Sequence, residues 1–171
     1  TYEALLEMSK KSGKSIAELA IEYEKNRSGR SEEVIWRQMA DQLEVMKEVK
    51  EKALSSEIVP LYGFESGNEA KKLMKAYVEG ETLGGSVLPK AVAIAIGTME
   101  YSTSMTGCIV AAPTGGSSGI LPGAILTISE ERGVSDEDLI KSMFVAAALG
   151  AVMYFHHSTF SGSAGGCQAE V

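Results

Sequence analysis

"SVLPKAVAIAIGTMEYSTSM", residues 86–105, decides the fold. It is apolar on nearly all sides, which is the pattern of a helix wrapped by other helices, not of a strand with one wet face. Upstream, "NEAKKLMKAYVEG" (68–80) shows a helical period that Gly80 closes, and Pro60, Gly63, Ser66 and Gly67 break the pattern before it. Further back, "SGRSEEVIWRQMADQLEVMKEVKEKAL" (28–54) puts Ile35, Met39, Leu43, Met46 and Val49 at spacings of three and four. Its Ser31 reads as an N-cap with a capping box, and the helix reads as the longest and most exposed one. Ser15 is expected to cap a helix with Ile16, Leu19, Ala20 and Tyr23 on one stripe, and Leu5, Leu6 and Met8 give a short first helix ending near Gly13. Downstream, "ILPGAILTISEERG" (120–133) and "SDEDLIKSMFVAAALGAVMYFHH" (135–157) are two more, the second capped by Ser135 with acids in its first turn. With no alternating strand pairs or internal repeat, the expectation is an all-α single domain over 1–171. About six to eight helices surround a central apolar one, and two Gly/Ser-rich loops interrupt them.

Composition agrees with a packed domain: 171 residues, 44% hydrophobic and 23% charged, are enough for one real core. A formal charge of −7 argues against nucleic acid or an anionic membrane as partner, because both reward clustered lysine and arginine. A small molecule or a protein is the expected partner. "TYEALLEMSKKSGKS" (1–15) lacks the basic start, apolar run and cleavage site of a secretory leader. No uninterrupted, uncharged apolar run of about 18 residues suggests a membrane span. The cytoplasm is therefore the expected compartment. Two cysteines, Cys108 and Cys167, are too few for a disulfide scaffold and leave free thiols or a thiolate ligand.

The chemistry is expected in the two irregular stretches. "APTGGSSG" (112–119) stands just before an apolar helix. Its Thr114, Gly115, Gly116, Ser117, Ser118 and Gly119 can turn several N–H groups toward one point with the helix dipole behind them, which suits a carboxylate or phosphate. No lysine follows the glycines, so this is not a Walker loop. The plainer reading is a tight helix-to-helix turn. The second stretch, "HHSTFSGSAGGCQAEV" (156–171), sets Cys167 behind two glycines that let a thiolate approach a bulky group. A lone cysteine is also a common buried apolar residue, and a histidine at a helix end is a common cap. Two cysteines and two histidines without C-x-x-C or H-x-x-x-H spacing do not make a zinc site.

"GCIVAAPTGGSSGILPG" (107–123) and "SGSAGGCQAEV" (161–171) resemble the two signature loops of the iron–sulfur-dependent L-serine dehydratase alpha chain, also called L-serine deaminase. The segments 15–54 and 65–86 are similar to that family's N-terminal helices and to its stretch before the core helix. The resemblance implies a cytoplasmic lyase that converts L-serine to pyruvate and ammonia without pyridoxal phosphate. It also implies an all-helical catalytic domain and a [4Fe-4S] cluster held by three cysteines, with one iron open to substrate. By this resemblance Cys167 is the first cluster ligand and Cys108 is not one. The loop Thr114 to Gly119, read above as an anion site, is then the expected substrate site. His157 is a candidate catalytic residue, and the general base has no assignment. A beta chain or beta domain is the implied partner, and self-association is a further expectation. The family's other two ligands follow the Cys167 motif. The chain is therefore expected to be an alpha chain cut just after its first ligand, inactive and without a cluster by itself.

Three positions depart from the family's pattern. Ser102 and His157 stand where the family tends to carry asparagine, and Ala164 where it carries glutamate. They keep two other readings open: a cluster-dependent lyase of another amino acid, such as a cysteine desulfidase, or a helical assembly subunit without catalysis.

Overall fold

The computed structural model describes residues 1–59, 67–102, 104 and 118–156. Among them the chain forms seven helices: α1 (Tyr2–Ser12), α2 (Ile16–Ser28), α3 (Glu32–Ser55), α4 (Glu69–Val78), α5 (Leu88–Ser102), α6 (Ile120–Arg132) and α7 (Asp136–His156). The all-α class read from the hydrophobic period is thus the observed one. Local chemistry sets the ends. Gly13 and Gly29 close α1 and α2 at φ of 71° and 70°, a left-handed conformation that costs glycine nothing, and each N–H returns to the carbonyl four residues back. Ser135 caps α7, accepting the Asp138 N–H at 3.2 Å.

Backbone proximity groups the chain into two compact units, residues 1–43 with 135–171 and residues 44–134. In the first, α2 packs against α7 and α1 lies against α2. Its core holds Ala17, Leu19, Ile21, Ile35, Leu139, Ile140, Met143 and Phe144, and the Phe144 ring meets Trp36 at 6.1 Å between centroids. The stripe expected on α2 is rotated, because Ala17 and Ile21 join Leu19 inside while Tyr23 stays 52% exposed. With apolar residues at 16, 17, 19, 20 and 21, two phases of the same period compete. The face that keeps the Tyr23 hydroxyl in water wins.

In the second unit α5 packs against α4 on one side and α6 on the other, as a central helix should. The approach is close because small residues meet there. A Cβ on Gly97 would stand 3.0 Å from the Ala53 Cβ and 3.2 Å from the Ala70 Cβ, so α3, α4 and α5 converge on three nearly side-chain-free positions. Ala53, Ala70, Ala93 and Ile94 are fully buried. Lys50 of α3 and Lys90 of α5 both reach Glu130 of α6, and Lys90 also meets Glu131 at 3.2 Å, tying the three helices at their edge. The longest helix, α3, is not the most exposed. It buries Ile35, Leu43, Met46, Val49 and Ala53, whereas α1 buries nothing.

The capping box also falls elsewhere than expected. Ser31 accepts only a long contact, 3.4 Å, from the Val34 N–H, and valine cannot return it. The complete box is Ser15 with Glu18: Ser15 Oγ accepts the Glu18 N–H at 3.2 Å, and the Glu18 carboxylate accepts the Ser15 N–H at 2.7 Å.

Candidate functional site at the junction of α5 and α6

Helix α6 lies against α5 almost backbone to backbone. A Cβ on Gly119 would fall 2.2 Å from the Ala95 carbonyl oxygen, and one on Gly123 would fall 2.7 Å from that of Ala91. No other residue fits at either place without moving a helix, so the glycine that opens α6 has a packing reason. Ser118, just before it, is turned inward and 1% exposed. Its hydroxyl donates to the Met99 thioether sulfur at 3.0 Å, a weak acceptor, and so pins the start of α6 to the last turn of α5. Ser102 stays on its own helix, donating to the Met99 carbonyl at 2.9 Å.

Gly119 offers α6 no side-chain cap, and Pro122 in the first turn carries no N–H. The start of α6 thus carries the positive end of the helix dipole without a side-chain cap from its own N-cap residue. Such an end accepts an anion.

Glu100, one residue beyond Met99, is the group that the sequence reading missed. It is only 8% exposed. Its carboxyl accepts the Glu69 N–H at 2.7 Å and the Ala70 N–H at 3.4 Å, and so caps α4 from a neighbouring helix. Asn68, at φ 67°, cannot serve, because its side chain is spent on the Ile58 backbone at 3.0 and 3.2 Å. Burial, followed by the nearby Glu69 carboxyl, pushes Glu100 above the ordinary carboxylate range, against the pull of the two amides. Glu69 is held low by its hydrogen bond to Glu100 and by backbone N–H groups. The signal was present in the sequence: Glu100 is the sole charged residue between Lys90 and Glu130. A lone acid in so long an uncharged stretch needs a buried partner.

Of the residues read as functional, Ser118 meets Met99 and Gly119 meets Ala95, both on α5, while Ser102 stays within α5 and Glu100 is engaged with α4. Thr114, Gly115, Gly116, Ser117, Cys108, His157, Ala164 and Cys167 lie outside the described residues. Among the described residues no three of His, Cys, Asp and Glu gather so as to hold a metal ion, and neither cysteine is among them. Among the described residues one helix, α7 over Asp136–Phe155, is long and apolar enough to cross a membrane by length and composition alone.

A model of the family described as "Serine dehydratase alpha chain" matches residues 11–171. The Bacillus subtilis protein named "Probable L-serine dehydratase, alpha chain" is 34% identical over 168 residues, 98% of this chain and 54% of that protein. The Peptoniphilus asaccharolyticus "L-serine dehydratase, alpha chain" is 32% identical over 170 residues, 99% of this chain and 57% of that one. A Streptomyces coelicolor "L-serine dehydratase" is 27% identical over 180 residues, with 37% of its length covered. The chain thus spans about half the length of the first two. No solved structure matches.

Proposed function

The chain belongs to the serine dehydratase alpha-chain family, and from that premise we propose that it carries part of the catalytic site of an L-serine dehydratase, a cytoplasmic lyase. The observation that carries this reading is a family match that runs through both Gly/Ser-rich loops, 112–119 and 156–171. The overall reaction removes the α-hydrogen and the β-hydroxyl of L-serine as water. The 2-aminoacrylate left behind tautomerises to an imine, and water hydrolyses that to pyruvate and ammonia. The difficulty is that the α-proton is weakly acidic and hydroxide is a poor leaving group.

Each part of this chain then has a task. The loop from Thr114 to Gly119 holds the substrate carboxylate, with Thr114 and Ser117 offering hydroxyls and the uncapped start of α6 supporting the negative charge. Ser118 is best read as the anchor of that loop, since its hydroxyl is engaged with Met99. His157 is the candidate to hold or move a proton at Cα. Cys167 is the candidate cluster ligand, its thiolate freed for close approach by Gly165 and Gly166. Cys108 is not a ligand, so the remaining thiolates would come from polypeptide outside this sequence. A [4Fe-4S] cluster, when bound, supplies a Lewis-acidic iron toward the β-hydroxyl. In this reading residues 1–171 act as one domain, completed by further alpha-chain polypeptide and a beta chain or domain, and turn over nothing alone.

The test uses the complete protein prepared without oxygen. Cys167→Ala should lose both the visible iron–sulfur absorption and pyruvate formation, whereas Cys108→Ala keeps both. The reverse pattern overturns the ligand assignment. Full activity on another β-substituted amino acid, with none on L-serine, overturns the substrate.

A further inference from the structure

Helix α7 changes character halfway along. Its first half buries Leu139, Ile140, Met143 and Phe144. From Val145 to Phe155 the sequence is "VAAALGAVMYF", without a charge, yet none of these residues is buried. Leu149, Met153, Tyr154 and Phe155 are 36%, 42%, 60% and 71% exposed. In the middle sits Gly150, and an added Cβ there would meet nothing within 4 Å. Glycine is a poor residue for a helix interior, and no contact among the described residues explains it. A glycine on an uncharged, uncovered helix face is the feature that allows a second helix to come close.

We propose that residues 145–155 of α7 seat a helix from the additional polypeptide that alpha chains of family length carry, with Gly150 at the closest approach. This rests on the family reading above. The chain covers only 54% and 57% of two relatives that match nearly all of it, so close to half of each lies outside the matched stretch and is available to cover this face. Other occupants fit less well. The uncovered stretch is roughly 16 Å long at 1.5 Å per residue. A helix crossing of that length falls short of the roughly 1,200–2,000 Å² that a stable dimer of separate chains buries, whereas a covalently attached segment has no such requirement. It is also about half of a bilayer core near 30 Å, and the first half of the helix is committed to packing with Trp36.

Leu149→Cys in the 171-residue chain and in the polypeptide of the complete gene, labelled with a maleimide and read at that residue by mass spectrometry, tests this. Labelling should be at least about tenfold slower in the complete polypeptide, corresponding to a covered state favoured by about 1.4 kcal/mol or more. In parallel, Gly150→Ala should raise Tm by about 2–4 °C in the short chain, where only helix propensity changes, and lower it in the complete one. Equal labelling rates overturn the proposal, as does a complete gene that encodes no further polypeptide. Protection that grows with concentration of the short chain points to a second copy and overturns it. So does protection that needs an added beta chain or lipid vesicles. Serine turnover by the complete protein is measured alongside, so equal labelling with turnover intact removes this inference and leaves the proposed reaction standing.

Discussion

Glu100 is the residue on which most of the second unit's polar logic turns, since it is a buried acid that caps a helix other than its own. Its ionisation has a definite sign. Because folding raises its pKa above the ordinary 4.5, the folded state binds this proton more tightly than the unfolded chain does. The stabilisation is fully present below about pH 4.5 and is lost as pH rises through the elevated folded value. Glutamine at this position keeps an oxygen for the Glu69 N–H and removes the titration. Urea unfolding of the protein and of Glu100→Gln from about pH 5 to about pH 8 should therefore show stability falling with pH in the first and a flatter profile in the second. Parallel profiles would mean that the two amides, not burial, govern this carboxyl.

At the scale of the element, the helix ends were the most legible part of the sequence. Gly13 and Gly80, read from the sequence as helix ends, take positive φ just past a helix, and Gly29 and Gly133 do the same. Phase was harder to read. A period fixes how apolar residues recur but not which of two adjacent stripes faces inward, and the burial of Ile21 in place of Tyr23 follows from that. The Ser31 box failed for a chemical reason: the residue three positions after the cap must be able to accept, and it is Val34. Of the site, the glycines and Ser118 stood out in the sequence, but the helix that Gly119 approaches could not be read from it, because that contact is between segments with no shared local signal. The two serine caps give a direct comparison. Ser15→Ala removes a reciprocal pair and should cost about 1 kcal/mol in urea unfolding, whereas Ser31→Ala gives up one long contact and should cost less than half of that. Glu18 is held low by the Ser15 hydroxyl and N–H, so the Ser15 effect should shrink as pH falls below 4.5. Equal costs for the two serines would show that the returning carboxylate adds nothing.

For the whole molecule, the order of assembly follows from where each unit's segments lie in the chain. The second unit is one continuous stretch, 44–134, and its main packing partners are successive helices, α4 with α5 and α5 with α6. The first unit must bring α2 to α7, whose nearest ends, Ser28 and Asp136, are about a hundred residues apart. By contrast Ser102 and Ile120, which bound the longest connection inside the second unit, are fewer than twenty apart. Loop-closure entropy rises by about 0.6 kcal/mol per doubling of length, so the α2 to α7 closure costs about 1.6 kcal/mol more than the α5 to α6 one. That is a factor of about fifteen in the closure equilibrium, large enough to set an order when the intrinsic helix stabilities are similar. Pulse-labelled hydrogen exchange during refolding should therefore find the amides of α5 and α6 protected before those of α2 and α7. Once the second unit has formed, its compact chain shortens the span that the first must close, and the two sets of amides should follow in that sequence. Simultaneous protection of all four helices, or protection of α7 first, would show that the apolar face of α7 collapses onto α2 faster than chain length alone allows.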